Sequence, residues 1–460
     1  MIKLRELFVK TKNSDLILRG NIVKAILLLA IPLVINNLIQ SMYNLTDAFW
    51  LGKLGSDYQA AITLVSPIQN IIVNFGQGIT VAGSILIAQY VGAGDIKNGK
   101  QMVVQIFTCA MIFSIVCAFF CFLFTPSIIQ WLGAEEDVFD FSVLYLRIVI
   151  LDMPFLFLIN LFTAVNQAQG DTIKPVILNL SGILLNMILD PLFMMIFGWG
   201  IAGAAASTLL AKIPCACFAY IQLRSKKNDF RISFNGFRFD KGKLKTIVKI
   251  GLPTAIGGST MQFGFLLMSK NVLEYGDLAV AAYGIGNRIN GIISMPSTAT
   301  GSAVSTIVGQ NLGAGNTERA EKAYKTARRM IVIFLFSGGM ILSSSPVSTT
   351  VVKIFSDEKQ VITWAAEFLS VMAFCCFTNG IHDTTKGLFQ GSGHTLILMF
   401  VDAARLWVFR FATIYVGREW LSMDVECIWY SVVVSNAISA FILWVLYKMK
   451  VWKKNSVKIN

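Results

Sequence analysis

The chain has 460 residues, of which 55% are hydrophobic and only 14% are charged. Soluble domains carry about a quarter charged residues, so this composition excludes a soluble globular enzyme as the default class. The net charge of +13 is concentrated before the first apolar segment, in a central loop and at the C-terminus. This placement indicates cytoplasmic segments of a membrane protein. Nucleic-acid binding is not predicted, because no basic fold or aromatic platform accompanies the clusters.

Twelve apolar segments follow one another, each near the length that an α-helix needs to cross a bilayer. Alternating ten-residue β patterns are absent, so the prediction is an all-α integral membrane protein. The even number of crossings and the basic clusters predict a multi-pass protein of the cytoplasmic (plasma) membrane with both termini in the cytoplasm. The predicted spans are residues 24–50, 59–88, 101–125, 139–165, 174–197, 201–223, 245–273, 279–309, 329–353, 361–386, 395–416 and 427–449.

The first span carries a stripe of polar residues that ends in an acid. The stripe consists of Asn36, Gln40, Tyr43 and Asp47. Steps of four, three and four residues place these side chains on one helical face. An ionisable group inside a membrane span is costly and usually marks a pathway or an ion relay. Pro32, near the start of the same span, predicts a gating kink that would move the stripe.

The second half of the sequence repeats the first half at a constant offset. Pro32 pairs with Pro253, and Gln89–Gly94 pairs with Gln310–Gly315 at the same offset. We therefore expect two six-helix bundles of the same orientation, related by a pseudo-two-fold axis along the membrane normal. The predicted organisation is a cytoplasmic segment 1–23, an N-terminal bundle 24–223, a cytoplasmic linker 224–244, a C-terminal bundle 245–449 and a cytoplasmic tail 450–460.

The fifth span contains a second acid without a nearby cation in the sequence. Asn186 and Asp190 are four residues apart and so share one helical face. Asn160 in the fourth span and Thr208 in the sixth add oxygen ligands of the hard type that suits Na⁺. A buried carboxylate also binds a proton. H⁺ and Na⁺ are therefore both predicted as coupling ions, and no other metal and no cofactor is predicted.

The second copy lacks these polar groups at the constant offset. The residues equivalent to Asp47, Asn160, Asn186, Asp190 and Thr208 are Met268, Ile381, Trp407, Phe411 and Trp429. We therefore expect the ion chemistry to be confined to the N-terminal bundle, with an apolar wall supplied by the C-terminal one.

Most other membrane charges have a local partner at helical spacing. The predicted pairs are Lys270 with Glu274, Asp383 with Lys386 and Asp402 with Arg405. Asp152, also in mid-span, has no partner that the sequence reveals.

These motifs resemble those of the multidrug and toxic compound extrusion (MATE) transporters, specifically the DinF-like branch. The resemblance rests on Tyr43–Asp47, on the Gly-Ala-Gly loops of both halves and on Asn186…Asp190-Pro191, and it covers nearly the whole chain. It implies export of cationic or amphipathic compounds, driven by inward H⁺ or Na⁺. It also implies a protonated switch at Asp47. The implied remainder of its ion network is Asn160, Asn186, Asp190 and Thr208, with Gln40 and Tyr145 nearby.

The predicted function is a cation-coupled antiporter that works by alternating access, not an enzyme. It is expected to be a monomer in the lipid bilayer, acting on small organic cations or amphipathic compounds. The predicted substrate cavity is lined by Asn36, Gln40, Tyr43 and Tyr145. The alternative is a flippase or exporter of a lipid-linked or phosphate-bearing molecule. Arginines suit phosphate groups, and Arg288, Arg405 and Arg410 keep this alternative open.

Overall fold

The computed structural model describes residues 13–52 and 55–453. Only the backbone is described at residues 45, 47–49, 51–52, 56, 136–137 and 266. Within these residues the chain forms helices and no β-strand. Long helices are what apolar runs of this length must form in lipid, because a helix satisfies its backbone polar groups internally.

The first half of the described chain consists of long helices joined by short turns. They are α1 (Asn13–Arg19), α2 (Ile22–Gly52), α3 (Ser56–Ala93), α4 (Ile96–Trp131), α5 (Glu136–Ile150), α6 (Met153–Ala168), α7 (Ile173–Pro191) and α8 (Gly200–Arg224). A π-helical turn, Leu192–Ile196, extends α7 beyond Pro191. Pro32 lies inside α2, which continues past it as one helix.

The second half repeats this pattern of long helices after a loop at residues 225–240. It contains α9 (Lys241–Leu273), α10 (Asp277–Gly313), α11 (Thr317–Leu342), α12 (Ser345–Val352), α13 (Lys359–Cys375), α14 (Phe377–Gly391), α15 (Thr395–Ala403), α16 (Phe411–Glu419) and α17 (Glu426–Lys448). A π-helical segment, Ala404–Arg410, joins α15 to α16. A 3₁₀ turn, Val451–Lys453, follows α17.

The predicted spans coincide with these helices. Within the described residues, six single helices are long and apolar enough to cross a membrane, and three bent helix pairs pass the same test together. The bends are 43° between α5 and α6, 81° between α11 and α12, and 53° between α13 and α14. The predicted seventh, eighth and eleventh spans lie on α9, on α10 and on the run from α15 to α16.

The helices group into two compact units whose boundaries fall inside helices. Of the described residues, unit 1 contains residues 13–14 and Ile35–Ser259, and unit 2 contains Asp15–Val34 and residues 260–453. One boundary lies inside α2, shortly after Pro32, and the other lies inside α9, shortly after Pro253.

The turns that follow α3 and α10 preserve the sequence repeat in three dimensions. Gly94 and Gly315 both adopt the left-handed conformation, with φ of 70° and 75°, which glycine adopts without the steric cost that a Cβ would bring. The next residue caps the following helix in each copy. The Asp95 side chain accepts from the Asn98 amide, and the Asn316 side chain accepts from the Arg319 amide, both at 3.0 Å.

The number of residues that separates equivalent positions of the two copies increases after these turns. Applied to α6, the constant offset predicts a counterpart that begins at Phe374 and ends at Phe389. The helix in the structure, α14, instead begins at Phe377 and ends at Gly391. Both ends of the fourth span of the second copy therefore lie later in the chain than the repeat predicts.

This growth changes which residues of the two copies are equivalent in the fourth span. The constant offset pairs Asn160 with Ile381, a residue that lies too early in α14. The structural equivalent of Asn160 is accordingly Asp383 or Thr384. The pairing of Asn160 with Ile381 made from the sequence is therefore wrong. The residue of the second copy that corresponds to Asn160 is polar rather than apolar.

Within unit 2, α10 and α14 approach each other closely through glycines. A Cβ on Gly387 would lie 2.2 Å from the carbonyl oxygen of Gly301, and one on Gly301 would lie 2.6 Å from that of Asp383. Neither position tolerates a side chain unless the backbone shifts. This contact fixes the backbone of α14 where it carries its charged residues.

Candidate functional site

The end of α7 holds an acid that is almost completely buried. Asp190 is 1% exposed and Asn186 is 4% exposed. The Asn186 Nδ2 atom donates to Asp190 Oδ1 at 3.0 Å, so the predicted shared face of these residues is confirmed. Pro191 and the π-helical turn follow at once. Single π-turns of this kind occur frequently at functional sites.

Ser207 of α8 completes the contacts around Asp190. Its hydroxyl is in hydrogen-bond contact with Asp190 Oδ1, and Asn186 Nδ2 lies 3.3 Å from Ser207 Oγ. Thr208, the predicted ligand, instead donates its hydroxyl to the backbone oxygen of Ala204 at 3.0 Å. The sequence interpretation missed Ser207, although the adjacent Ser-Thr pair was the available signal. The part of Thr208 in ion binding stays a prediction.

Two buried oxygen atoms at this site have no hydrogen-bond donor among the described residues. They are Asp190 Oδ2 and Asn186 Oδ1. Buried acceptors without a partner are rare in folded proteins. Carboxylate and amide oxygens are the atoms that bind hard cations, and a carboxylate oxygen also binds a proton. These two oxygens are therefore chemically able to bind a proton or a hard cation.

Two other predicted coupling residues are less fully described. Asp47 lies in α2, but its side chain is outside the described residues. Asn160 lies in α6 and is partly exposed. Whether either residue joins Asp190 in one ion network stays a prediction.

The polar stripe of α2 contacts α7. Asn179 Nδ2 donates to Asn36 Oδ1 at 3.2 Å. Asn179, Asn186 and Asp190 are spaced by seven and four residues, so they share one face of α7. The stripe of the first span therefore meets the face of α7 that carries the buried acid.

The remaining predicted cavity residues lie on partly exposed helix surfaces. Gln40 is exposed and donates to Asn44 at 3.3 Å. Tyr43 is partly exposed. Tyr145 packs at the edge of a buried cluster formed around Leu146 and Ile150. Their predicted role in binding substrate is compatible with these positions and stays a prediction.

Asp152 has a partner that the sequence did not reveal. Lys212 of α8 forms an ion pair with this acid, which lies at the bend between α5 and α6. The Asp152 side chain is 3% exposed and that of Lys212 is 24% exposed. The two residues are sixty positions apart, too far for any helical spacing rule.

Unit 2 contains a buried ionic cluster centred on Asp402. Lys386 Nζ lies 2.7 Å from Asp402 Oδ2, His382 Nε2 lies 3.3 Å from Oδ1, and Arg405 Nη2 lies 3.8 Å from Oδ1. His382 Nδ1 also lies 3.2 Å from Asp383 Oδ1. The cluster places buried charged groups in the second copy, among them the predicted pair of Asp402 and Arg405. The expectation that ion coupling is confined to the N-terminal bundle stays a prediction.

The pairs predicted from local spacing are only partly correct. Asp402 does contact Arg405, as predicted. Lys386, however, pairs with Asp402 rather than with Asp383. Glu274 accepts from Arg418 Nη1 at 2.7 Å rather than from Lys270. In both wrong cases a partner from another helix lies closer than the neighbour on the same helix.

One protein-family model matches the chain twice, once in each copy of the sequence repeat. The model of the MatE family matches residues 32–192 and again residues 253–416. The first match begins at Pro32 and the second at Pro253, the two prolines that the repeat pairs. The chain belongs to the MatE family. MATE proteins are transporters rather than enzymes, and the family predicted from the sequence motifs is thereby confirmed, while the DinF-like branch stays a prediction.

Relatives and solved structures match the MATE chain over nearly its full length. The probable multidrug resistance protein YoeA of Bacillus subtilis is 25% identical over 438 residues, covering 94% of each chain. The multidrug export protein MepA of Staphylococcus haemolyticus is 24% identical over 376 residues, covering 81% of this chain and 82% of MepA. A crystal structure of MATE in complex with MaL6 superposes with a TM-score of 0.90 at 23% identity, covering 97% of this chain and all of that one.

Proposed function

We propose that this MATE transporter exports cationic or amphipathic organic compounds in exchange for an inward-moving H⁺ or Na⁺. Export of such compounds is supported by the relatives, whose names describe multidrug resistance and multidrug export. Coupling to a cation is supported by one observation above all. Asp190 is buried, and its Oδ2 atom has no donor among the described residues.

The chemistry of coupling follows from the cost of burying an unpaired charge. An ionised carboxylate in an apolar interior is unfavourable unless a cation compensates it. Within the described residues no lysine, arginine or histidine forms an ion pair with Asp190. A proton or Na⁺ that enters the site supplies the missing positive charge. We assign this role to Asp190 together with Asp47, assisted by Asn186, Asn160 and Thr208.

The contact between α7 and α2 offers a route from cation binding to substrate release. Asn179 shares the face of Asp190 and donates to Asn36, on the stripe that ends at Asp47. We infer that neutralisation of the acids repacks α2 against α7, and that Pro32 gives α2 the bend this movement needs. The substrate is then expelled from the surface formed by Asn36, Gln40, Tyr43 and Tyr145, in one cycle of alternating access.

The test is transport by the purified protein in proteoliposomes. The vesicles contain ethidium as a fluorescent organic cation, and a pH gradient or a Na⁺ gradient is imposed separately. Wild type is expected to move ethidium with one gradient or both. Asp47→Asn and Asp190→Asn are expected to retain below roughly a tenth of the gradient-driven rate.

Asp140→Asn serves as the matched control, because Asp140 is an exposed acid of the same unit. It should transport at the wild-type rate. Gradient-driven transport by Asp47→Asn and Asp190→Asn at the wild-type rate would refute the coupling proposal. Efflux that ignores both gradients in wild type would refute antiport itself.

The alternative, a flippase for phosphate-bearing lipids, depends on arginines that are free to bind phosphate. Arg410 is buried and its Nε donates to Ser435 at 3.2 Å, and Arg405 lies beside Asp402. Arginines already engaged with protein groups are poorer phosphate ligands. Of the three candidate arginines only Arg288 is exposed, so the antiporter is the better-supported proposal. Translocation of a fluorescent phospholipid in the same vesicles, unaffected by either gradient, would favour the flippase.

The oligomeric state, the membrane and the orientation of the protein are proposed as the sequence predicts them. The protein is proposed to act as a monomer in the plasma membrane. Both termini are proposed to lie in the cytoplasm, as the basic clusters predict.

A further inference from the structure

A groove of about 410 Å³ opens on the surface of unit 2, between α11, α14 and α17. Its volume falls within the range of about 300 to 1,000 Å³ that is typical of ligand pockets. It is lined by Arg328, Arg329, Val332, Thr378, Ile381, Ala437, Ala440, Phe441 and Trp444. The lining thus combines two arginines with a mainly apolar and aromatic wall.

The two arginines are not neutralised by acids within the described residues. Arg328 donates to the Tyr324 hydroxyl at 3.1 Å and lies over the rings of Tyr324 and Tyr447. Arg329 is exposed and forms no ion pair there. The nearby acid Glu321 is already contacted by Lys325 and Lys453 and by the Tyr447 hydroxyl. The arginine end of the groove therefore carries a net positive charge.

The rest of the groove is mainly apolar. Thr378 donates its hydroxyl to the backbone oxygen of Cys375 at 2.8 Å. Phe441 is 61% exposed, as expected for a side chain that faces lipid. Trp444 lies beneath Lys448, with the ammonium 5.4 Å from the ring centroid. Tryptophan with a neighbouring lysine is typical of the level at which acyl chains meet headgroups.

We propose that this groove binds a phospholipid with an anionic headgroup from the surrounding bilayer. The phosphate is held by Arg328 and Arg329, whose planar guanidinium groups suit its oxygens. One acyl chain lies along Val332, Ile381 and Phe441. Arg328 and Arg329 lie near the middle of α11, directly before its apolar run, and Trp444 lies toward the end of α17. The predicted ninth span begins at residue 329 on the cytoplasmic side, and α17 ends on the same predicted side, so the lipid comes from the inner leaflet.

The experiment uses quenching of tryptophan fluorescence by lipids with brominated acyl chains. The full-length protein is reconstituted with brominated phosphatidylglycerol or brominated phosphatidylcholine at equal mole fractions. The contribution of Trp444 is obtained by subtracting the Trp444→Phe variant. Wild type is expected to show stronger Trp444 quenching by the anionic lipid. Each of Arg328→Ala and Arg329→Ala should lower that preference roughly fivefold.

Three matched variants distinguish the site from general attraction. Lys322→Ala removes an exposed charge on α11 outside the groove and should leave the preference unchanged. Trp131 is an exposed tryptophan of the other unit. Its contribution, obtained by subtracting the Trp131→Phe variant, should be quenched equally by the anionic and the zwitterionic lipid. Ala437→Leu fills the groove without changing charge and should lower Trp444 quenching by both lipids.

Arg329→Ala keeps the proposal testable if Arg328→Ala fails to fold, because Arg329 is exposed. Equal Trp444 quenching by the two lipids in wild type would overturn the proposal. So would an unchanged preference in folded Arg329→Ala. Inorganic phosphate at millimolar concentration should not displace the lipid. Full displacement by it would show a site for free anions instead.

Discussion

Two buried aspartates, one in each unit, differ in whether fixed cations of the protein compensate their charge. Asp402 is surrounded by Lys386, His382 and Arg405. Asp190 contacts only the neutral groups of Asn186 and Ser207 among the described residues, and its second oxygen has no donor. A carboxylate with fixed cations is compensated permanently, whereas one without them needs a cation from outside. We therefore propose that the acid of unit 1 is the exchangeable site and that the acid of unit 2 is a structural one.

The largest expected effect is on stability, at the compensated acid. Asp402→Asn leaves the buried His382 and the partly exposed Lys386 and Arg405 without their carboxylate. We expect a loss of about 3 to 5 kcal/mol in the free energy of unfolding, the usual cost of breaking a buried pair. Unfolding in detergent micelles, followed by circular dichroism, measures it. The double variant Asp402→Asn with Lys386→Met should recover part of the lost stability, because Lys386→Met removes one of the cations left without a carboxylate.

The same measurement on Asp190→Asn provides the contrast. No fixed cation is orphaned there, and the amide oxygen still accepts from Asn186. The free energy of unfolding should therefore change by less than about 1 kcal/mol. If Asp190→Asn destabilises the protein as strongly as Asp402→Asn, the distinction between the two acids is wrong.

A third acid allows the comparison to be repeated inside unit 1. Lys212→Met leaves Asp152 buried and unpaired, and we expect a loss of about 3 kcal/mol, the low end for such pairs because Lys212 is partly exposed. Adding Asp152→Asn to Lys212→Met should restore most of the stability. Thermal unfolding of the two variants tests this. Equal melting temperatures of wild type and Lys212→Met would show that the pair contributes nothing.

The neighbours Ser207 and Thr208 sharpen the description of the exchangeable site. Ser207→Ala removes a direct contact to Asp190, so the apparent affinity for the coupling cation should change roughly tenfold. Thr208→Val should change it by less than roughly threefold, because the Thr208 hydroxyl donates to the backbone oxygen of Ala204 and forms no described contact with Asp190. The half-saturating cation concentration for efflux measures both. A larger effect of Thr208→Val would restore the ligand role predicted from the sequence.

A small effect on stability is expected at the paired helix caps. Asp95→Ala and Asn316→Ala should each cost about 1 kcal/mol at neutral pH, the usual value for a helix N-cap. The hydrogen bond from the Asn98 amide lowers the pKa of Asp95 below its ordinary value. Its cap is therefore fully present above about pH 4, the unfolded pKa, and is lost as pH falls through the lower folded pKa.

Asn316 does not titrate, so its cap should not depend on pH. The difference in melting temperature between wild type and Asp95→Ala should narrow as the pH falls from 7 to 3. The difference between wild type and Asn316→Ala should persist. Parallel behaviour of the two variants would contradict the assigned role of Asp95.

Local patterns in the sequence were sufficient for much of the fold. Apolar length predicted the helices, and the spacing of four predicted the contact of Asn186 with Asp190. The pair of Asp152 with Lys212 was out of reach, because it joins two helices whose relative rotation no single-helix pattern specifies. Arg418 with Glu274 was missed for the same reason. His382 was overlooked because a lone histidine carries no signal until Asp402 is placed beside it.

The growing offset between the two copies has a consequence for how duplicated proteins diverge. Each residue added ahead of an α-helix turns every later side chain by about 100° around the axis. The later start of α14, at Phe377 instead of Phe374, therefore changes which side chains occupy a given face of the helix. Insertion in a loop can thus exchange one set of inward-facing residues for another while the turns that frame the helices stay unchanged. A family that begins with two identical halves can in this way acquire different interiors without first losing its scaffold.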